Sequence, residues 1–194
     1  MKRYGIFGGT FNPPHIAHSI IADDVREQMH LDKIIFIPSG NPPLKENSVS
    51  AEHRFNMAKL AFGNDPNFEV SDIEMKEPDV RSFTVDTLMK LKEKYKNDFV
   101  KLYLILGIDN LITLHKWKDP NKLFLLSEVV VVNRPDNLVQ DVSPDFSNRV
   151  KYLSIPMLEI SSSIIREYVQ NNKSIKYLVH SEVDEYIKKN GLYK

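Results

Sequence analysis

The sequence of 194 residues contains no cysteine. This absence excludes disulfides, thiolate nucleophiles and cysteine-ligated zinc, and it fits a reducing compartment, so we expect a cytoplasmic protein. Neither sign of charge predominates, because 26 basic residues balance 26 acidic ones. The chain therefore has no overall field of the kind that attracts nucleic acid or an anionic membrane. No apolar run approaches the ~18 residues of a membrane span, and the residues after Met1 do not resemble a signal peptide.

Short apolar runs alternate with amphipathic helical patterns along the whole chain. The length fits a single domain over residues 1–194, with a helical C-terminal part from about residue 160. The pattern predicts a Rossmann-like, doubly wound α/β fold, with a mostly parallel sheet and helices on both faces. Residues 136–149 are polar and predicted to be irregular. The predicted strands are residues 4–7, 33–37, 68–70, 101–106, 129–132 and 150–153.

The stretch Gly-Gly-Thr-Phe-Asn-Pro-Pro-His-Ile-Ala-His at residues 8–18 joins the first predicted strand to a helix. The two glycines permit positive φ and let a ligand approach the backbone closely, Asn12 can cap the helix, and Pro13 is suited to the first helical turn. His15 and His18 would then share one face near the positive end of the helix, where anions bind. The stretch is neither a P-loop nor a dinucleotide-binding fingerprint. A zinc site would need a third ligand, and Asp23 and Asp24 lie further along the helix, so no metal site is predicted.

Other polar segments follow the remaining predicted strands. They are the loop at residues 38–45, Gly107 with Asp109, and Asn133 with Arg134. Because ligands of parallel sheets bind beyond the carboxyl ends of the strands, we expect these segments to form one nucleotide-sized site.

Two helix starts are further candidates for anion binding. Ser162 and Arg166 are four residues apart, so they can converge on one anion; they can equally be an ordinary cap and a surface arginine. Residues 82–84 open another helix with free N–H groups, or simply cap it. Trp117 is interpreted as a core residue or a platform for a ligand ring. Arg54 can reach the site from its helix, although such an arginine more commonly faces solvent.

Taken together, residues 8–18, 38–45, 82–88, 107–117, 133–135 and 160–166 closely resemble the bacterial nicotinate mononucleotide adenylyltransferases, in the same order. The histidine motif alone would also fit pantetheine-phosphate adenylyltransferases, cytidylyltransferases and class I aminoacyl-tRNA synthetases. One departure is Leu44, which stands where the family commonly has histidine.

The resemblance implies transfer of AMP from ATP to nicotinate mononucleotide, giving deamido-NAD and pyrophosphate, with Mg²⁺ accompanying ATP. It implies catalytic roles for His15, His18 and Arg166. The expected ATP-binding residues are Gly8, Gly9, Thr10, Phe11, His15, His18, Gly107, Asp109, Ser161, Ser162 and Arg166. The expected mononucleotide-binding residues are Asn41, Lys45, Thr84, Trp117 and Arg134.

Three alternatives stay open at this point. The acceptor can be nicotinamide mononucleotide, because Asp86 lies near Thr84 and could accept from an amide. It can also be another phosphorylated compound, or the protein can be a non-catalytic nucleotide sensor. The sequence also leaves open whether the protein forms a homo-oligomer.

Overall fold

The computed structural model describes residues 1–42, 49–76, 80–133, 142–156 and 158–194. Its strands form one parallel sheet in the order β3-β2-β1-β4-β5-β6, which is the doubly wound arrangement that the alternating pattern predicts. In register, Ile6 of β1 lies opposite Ile35 of β2 and Leu104 of β4. The strands are β1 (Lys2–Gly9), β2 (Lys33–Pro38), β3 (Phe68–Val70), β4 (Val100–Gly107), β5 (Glu128–Asn133) and β6 (Lys151–Ser154).

Helices cover both faces of the sheet. They are α1 (Ile16–Gln28), α2 (Ala51–Phe62), α3 (Thr84–Lys94), α4 (Ile108–Ile112), α5 (Pro120–Leu126), α6 (Pro144–Ser147), α7 (Ser162–Gln170) and α8 (Ser181–Lys189), with a 3-10 turn at Leu114–Lys116. The prediction of irregular structure is wrong at Pro144–Ser147, where Pro144 opens a short helix and Phe146 is buried. Residues 134–141 lie outside the described residues.

Alternate side chains of each strand fill opposite faces of the sheet. On one face, Ile35 and Leu104 pack with Leu88 of α3 and Leu123 of α5. On the other face, the neighbouring residues of the same strands pack against Val25 of α1 and Phe62 of α2. A third apolar cluster joins α2 to α7 and α8 through Met57, Ile165, Val183 and Ile187. No helix among the described residues is long and apolar enough to span a bilayer.

The turn after β1 differs from the sequence prediction at Asn12 and Pro13, because α1 begins only at Ile16 and Pro13 therefore lies before its first turn. Gly8 and Gly9 still pair with β2, and the positive φ of this turn is at Phe11, at 49°. Asn12 does not cap α1. The Asn12–Pro13 peptide is cis, and the extended residue before the helix is His15, with φ −145° and ψ 167°. The side-chain oxygen of Asn12 instead accepts a hydrogen bond from Tyr193, so it is not available to the helix.

The start of α3 also differs in detail. The residue before its first turn is Phe83 rather than Ser82, and it provides no side-chain cap. Ser82 is used elsewhere, because its backbone and its hydroxyl both bond to Asn41. Serines cap α2 and α7, since the hydroxyls of Ser50 and Ser161 each accept an N–H of the following turn.

Candidate active site

The candidate site lies where the strand order reverses, beyond the carboxyl ends of β1 and β4. Gly8 is near the end of β1, and Gly107 ends the neighbouring β4. A Cβ atom added at either glycine would meet no other atom within 4 Å. The backbone at these two positions therefore borders open space that a ligand can approach closely.

His15 and His18 lie together at the N-terminus of α1. Their rings stack with centroids 3.6 Å apart and an angle of 27° between the planes. The backbone N–H of His15 donates to Nδ1 of His18 at 3.1 Å. Because an accepting Nδ1 carries a lone pair, the neutral ring of His18 has its proton on Nε2. Nε2 is thus the atom that His18 can use to donate to an anion.

His15 is a buried, neutral imidazole. Only 6% of its surface is exposed. Burial lowers the pKa of His15 from 6.5 to about 4. Its side chain faces the backbone N–H of His18 in a capping-box arrangement, but its buried Nδ1 has no hydrogen bond of normal geometry among the described residues. A buried polar atom without a partner is uncommon, and here it belongs to a ring that borders a helix N-terminus suited to anions.

Aromatic side chains hold His18 in place. The ring of Phe11 packs edge-on against His18 with centroids 5.1 Å apart, and Phe7 and Phe62 pack at 6.0 and 6.5 Å. Phe11, an expected ATP-binding residue, is 3% exposed. Its ring therefore supports the histidine from beneath, and only its backbone is placed to meet a ligand.

The start of α7 is docked on the histidine loop, which we define as residues 10–15. Nη1 of Arg166 donates to the carbonyl of Asn12 at 2.8 Å, and Oγ of Ser162 donates to the carbonyl of Pro13 at the same distance. Nη2 of Arg166 donates to Ser163. The structure thus brings Ser162 and Arg166 beside the histidines as expected, with several of their donors committed to the loop. Ser161 is the N-cap of α7.

Arg54 does not face solvent, which was the role that the sequence interpretation favoured over reaching the site. It is completely buried, and its guanidinium donates to the carbonyls of Thr10 at 3.0 Å, Ser39 at 2.6 Å and Gly40 at 3.0 Å. It forms no ion pair with another described residue. The helical spacing of the sequence indicates this burial, because Arg54 lies on the same face of α2 as the buried Met57, Ala58 and Phe62.

This contact joins the loop after β1 to the loop after β2 and directs three carbonyl oxygens toward one cation. In a planar trans peptide the N–H points away from the carbonyl oxygen. The N–H of Phe11 therefore points away from Arg54. Arginine stays protonated in proteins, so a full positive charge lies beneath the histidine loop.

The expected mononucleotide residues form a second group beyond β2. Asn41 exchanges two hydrogen bonds with Ser82, at 2.9 and 3.1 Å, and Thr84 begins α3 two residues later. Trp117 is half-buried against the core next to Lys118, whose Nζ lies 2.8 Å from Oδ2 of Asp86 on α3. Asn41, Thr84 and Trp117 thus lie on connected segments. Lys45, Arg134 and Leu44 lie outside the described residues.

The cytidylyltransferase-like family matches residues 6–168. The chain is 38% identical over 199 residues to a probable nicotinate-nucleotide adenylyltransferase of Caldicellulosiruptor saccharolyticus, covering 99% of both chains. It is also 38% identical over 196 residues to the nicotinate-nucleotide adenylyltransferase of Bacillus subtilis, covering 100% of both chains. The chain belongs to the nicotinate-nucleotide adenylyltransferase family. The family resemblance stated from the motifs is therefore confirmed.

Solved structures agree on the fold. The nicotinic acid mononucleotide adenylyltransferase of Plasmodium falciparum, solved in complex with NaAD, has a TM-score of 0.81 at 24% identity and covers 100% of this chain and 98% of its own. A putative nicotinate-nucleotide adenylyltransferase of Vibrio parahaemolyticus has a TM-score of 0.69 at 22% identity, covering 100% of this chain and 96% of its own. At these identities the likeness concerns the Rossmann-like fold.

The described part of this family member offers no cage for a metal ion. It holds no group of three or more His, Asp or Glu side chains that could bind one. Asp109, the acidic residue closest after β4, is exposed in the first turn of α4.

Proposed function

We propose that the protein transfers AMP from ATP to nicotinate mononucleotide and releases pyrophosphate. The observation that carries the proposal is the stacked pair of His15 and His18 at the N-terminus of α1, next to the open backbone of Gly8 and Gly107. Two imidazoles, a helix N-terminus and closely approachable backbone are suited to a polyphosphate. Membership of the adenylyltransferase family supplies the reaction class.

In the proposed reaction, a phosphate oxygen of the mononucleotide attacks the α-phosphorus of ATP. The new P–O bond forms as the bond to the β-phosphate breaks, and pyrophosphate leaves with the electron pair. This transfer needs orientation and stabilisation of charge rather than a protein nucleophile. Nε2 of His18 donates to an α-phosphate oxygen, and His15 shares this role. Mg²⁺ bound to the phosphates supplies further neutralisation of their charge.

Arg166, with Ser161 and Ser162, is proposed to border the leaving pyrophosphate. Its guanidinium donates to the carbonyl of Asn12, so its charge is held beside the histidine loop. Gly107 and Asp109 are proposed on the adenosine side because β4 ends next to β1. Gly9 and Thr10, together with the N–H of Phe11, complete the phosphate wall.

A specific contact favours the acid over the amide as acceptor. Both carboxylate oxygens of Asp86 contact Nζ of Lys118, at 3.1 and 2.8 Å. The charge of Asp86 is thus paired with a cation, so this carboxylate offers less to a carboxamide than an unpaired one would. The first N–H groups of α3, beginning at Thr84, have no acceptor within their helix and suit a carboxylate. Asn41, Lys45, Trp117 and Arg134 are proposed to complete the mononucleotide pocket.

The test measures pyrophosphate release with ATP and Mg²⁺ and either nicotinate or nicotinamide mononucleotide. We expect release with both components present and faster release with the acid. No release with either acceptor would overturn the enzymatic proposal in favour of a nucleotide sensor. Faster release with the amide would overturn the substrate assignment. His18→Ala protein, prepared in parallel, controls for contaminating activity.

The single domain and the cytoplasmic location stay predictions.

A further inference from the structure

Tyr193 connects the C-terminal helices to the histidine loop. Its hydroxyl donates to Oδ1 of Asn12 at 2.7 Å, across 181 positions of sequence, and the pair is buried. The ring is 8% exposed and packs in the third apolar cluster with Ile165 and Ile187. The neighbouring N–H of Leu192 bonds to the carbonyl of Ile187, which anchors this segment to α8.

Asn12 is therefore held from two directions. Arg166 binds its backbone carbonyl at 2.8 Å, and Tyr193 binds its side chain. Asn12 is 7% exposed and lies three residues before His15, whose backbone N–H fixes the ring of His18. A displacement at Asn12 is thus transmitted along a short buried segment to both imidazoles.

The hydroxyl of Tyr193 is a permanent donor. Burial raises its pKa well above the ordinary value of a tyrosine, although the charges of Arg166 and Arg54 act in the opposite direction. The proton therefore stays on the oxygen throughout the physiological range. Because Oδ1 of Asn12 can only accept, the hydrogen bond from the Tyr193 hydroxyl is maintained at every pH at which the enzyme works.

We propose that Tyr193 is a positioning residue for adenylyl transfer, because its hydrogen bond to Asn12 holds the histidine loop where His15 and His18 meet the α-phosphate. The inference rests on the proposed function, and it adds a residue whose hydroxyl is engaged by Asn12. It also makes the packing of residues 192–193 against the loop a requirement for turnover rather than for stability alone.

The experiment compares Tyr193→Phe with wild type. This change removes one hydroxyl and keeps the ring, so the cluster around α8 stays packed. We expect kcat to fall about 3- to 10-fold, the range that corresponds to one neutral hydrogen bond, with KM for ATP within about 2-fold. A merely structural role would lower the folded fraction and leave kcat per folded molecule unchanged.

Tyr186→Phe is the matched control. That hydroxyl lies 3.0 Å from Nδ1 of His53 and 3.3 Å from Nδ2 of Asn56, so it joins α8 to α2 without touching the histidine loop. Tyr186→Phe removes the same chemical group from the same helical region. We expect this variant to have the same kcat as wild type and a free energy of unfolding in urea similar to that of Tyr193→Phe.

A spectroscopic readout separates this inference from the proposed function. The imidazole NMR signals of His15 and His18 should shift in Tyr193→Phe and keep their positions in Tyr186→Phe. If wild type releases no pyrophosphate, the proposed function fails, and these shifts still report whether Tyr193 positions the histidines. Unchanged imidazole signals, or an unchanged kcat in an active enzyme, would overturn the role of Tyr193.

Discussion

Acid should destabilise the protein through His15 before its carboxylates are protonated. The pKa of His15 is lowered to about 4 by burial, against 6.5 for the exposed group. Between these values the unfolded chain binds a proton that the folded chain does not, so falling pH favours unfolding. The stability contributed by neutral His15 is complete above pH 6.5 and is lost as the pH falls toward 4.

The two pKa values set the size of the effect. The full difference of about 2.5 pKa units corresponds to about 3 kcal/mol. Between pH 7.5 and pH 5 the linkage relation gives a loss of about 2 kcal/mol from this one group. The whole stability of a typical domain is only about 5–15 kcal/mol, so the loss is readily measured.

The assay is urea unfolding of wild type and His15→Gln at pH 7.5 and pH 5. Carboxylates and other histidines contribute equally to both proteins, so the difference between the two pH changes isolates His15. His115→Gln serves as the control because that ring is exposed. We expect wild type and His115→Gln to lose about 2 kcal/mol more than His15→Gln. An equal fall in the free energy of unfolding in all three proteins would refute the conclusion that His15 is buried and neutral.

Three further predictions address the site. His18→Ala should reduce kcat about 10²-fold or more with an unchanged circular dichroism spectrum, since its donor acts mainly in the transition state; near-normal turnover would remove His18 from the mechanism. Arg54→Met should lower the free energy of unfolding by about 3 kcal/mol or more in urea, because three buried carbonyls lose their donor; a change below about 1 kcal/mol would contradict this. Gly8→Ala should raise KM for ATP at unchanged thermal stability, because the added Cβ meets only open space. Gly5→Ala should destabilise the protein, because its Cβ would lie 2.5 Å from the side chain of Ile34. Equal melting temperatures of the two variants would refute the argument.

The histidine loop is held mainly through its carbonyl groups. Arg54, Arg166 and Ser162 bind the carbonyls of Thr10, Asn12 and Pro13. Each of these donors comes from a helix that packs against the loop from within the protein. The arrangement turns carbonyl oxygens inward, as an anion-binding surface requires, and it explains why residues of α2 and α7 bear on a site formed after β1.

Periodicity and turn chemistry were sufficient for the architecture. Continuous apolar runs such as residues 129–132 fit a strand buried on both faces, and the alternation with helices fits a parallel sheet. The rule that ligands bind at the carboxyl ends of parallel strands predicts His15, Gly107 and Asn41 at one edge of the sheet. Local rules failed at Asn12, because a cap assignment considers only the following turn, and here a distant tyrosine takes the side chain.

The sequence by itself determined the sheet, the edge that binds ligands and the histidine pair, because these depend on short-range patterns that recur every two to four residues. Only the tertiary structure decided the roles of Arg54 and Tyr193, the neutral state of His15 and the tautomer of His18. These properties depend on burial and on partners up to 181 residues away. The stretch at residues 8–18 indicates the type of chemistry. The packing of α2, α7 and α8 around it determines where the side-chain atoms of the site lie.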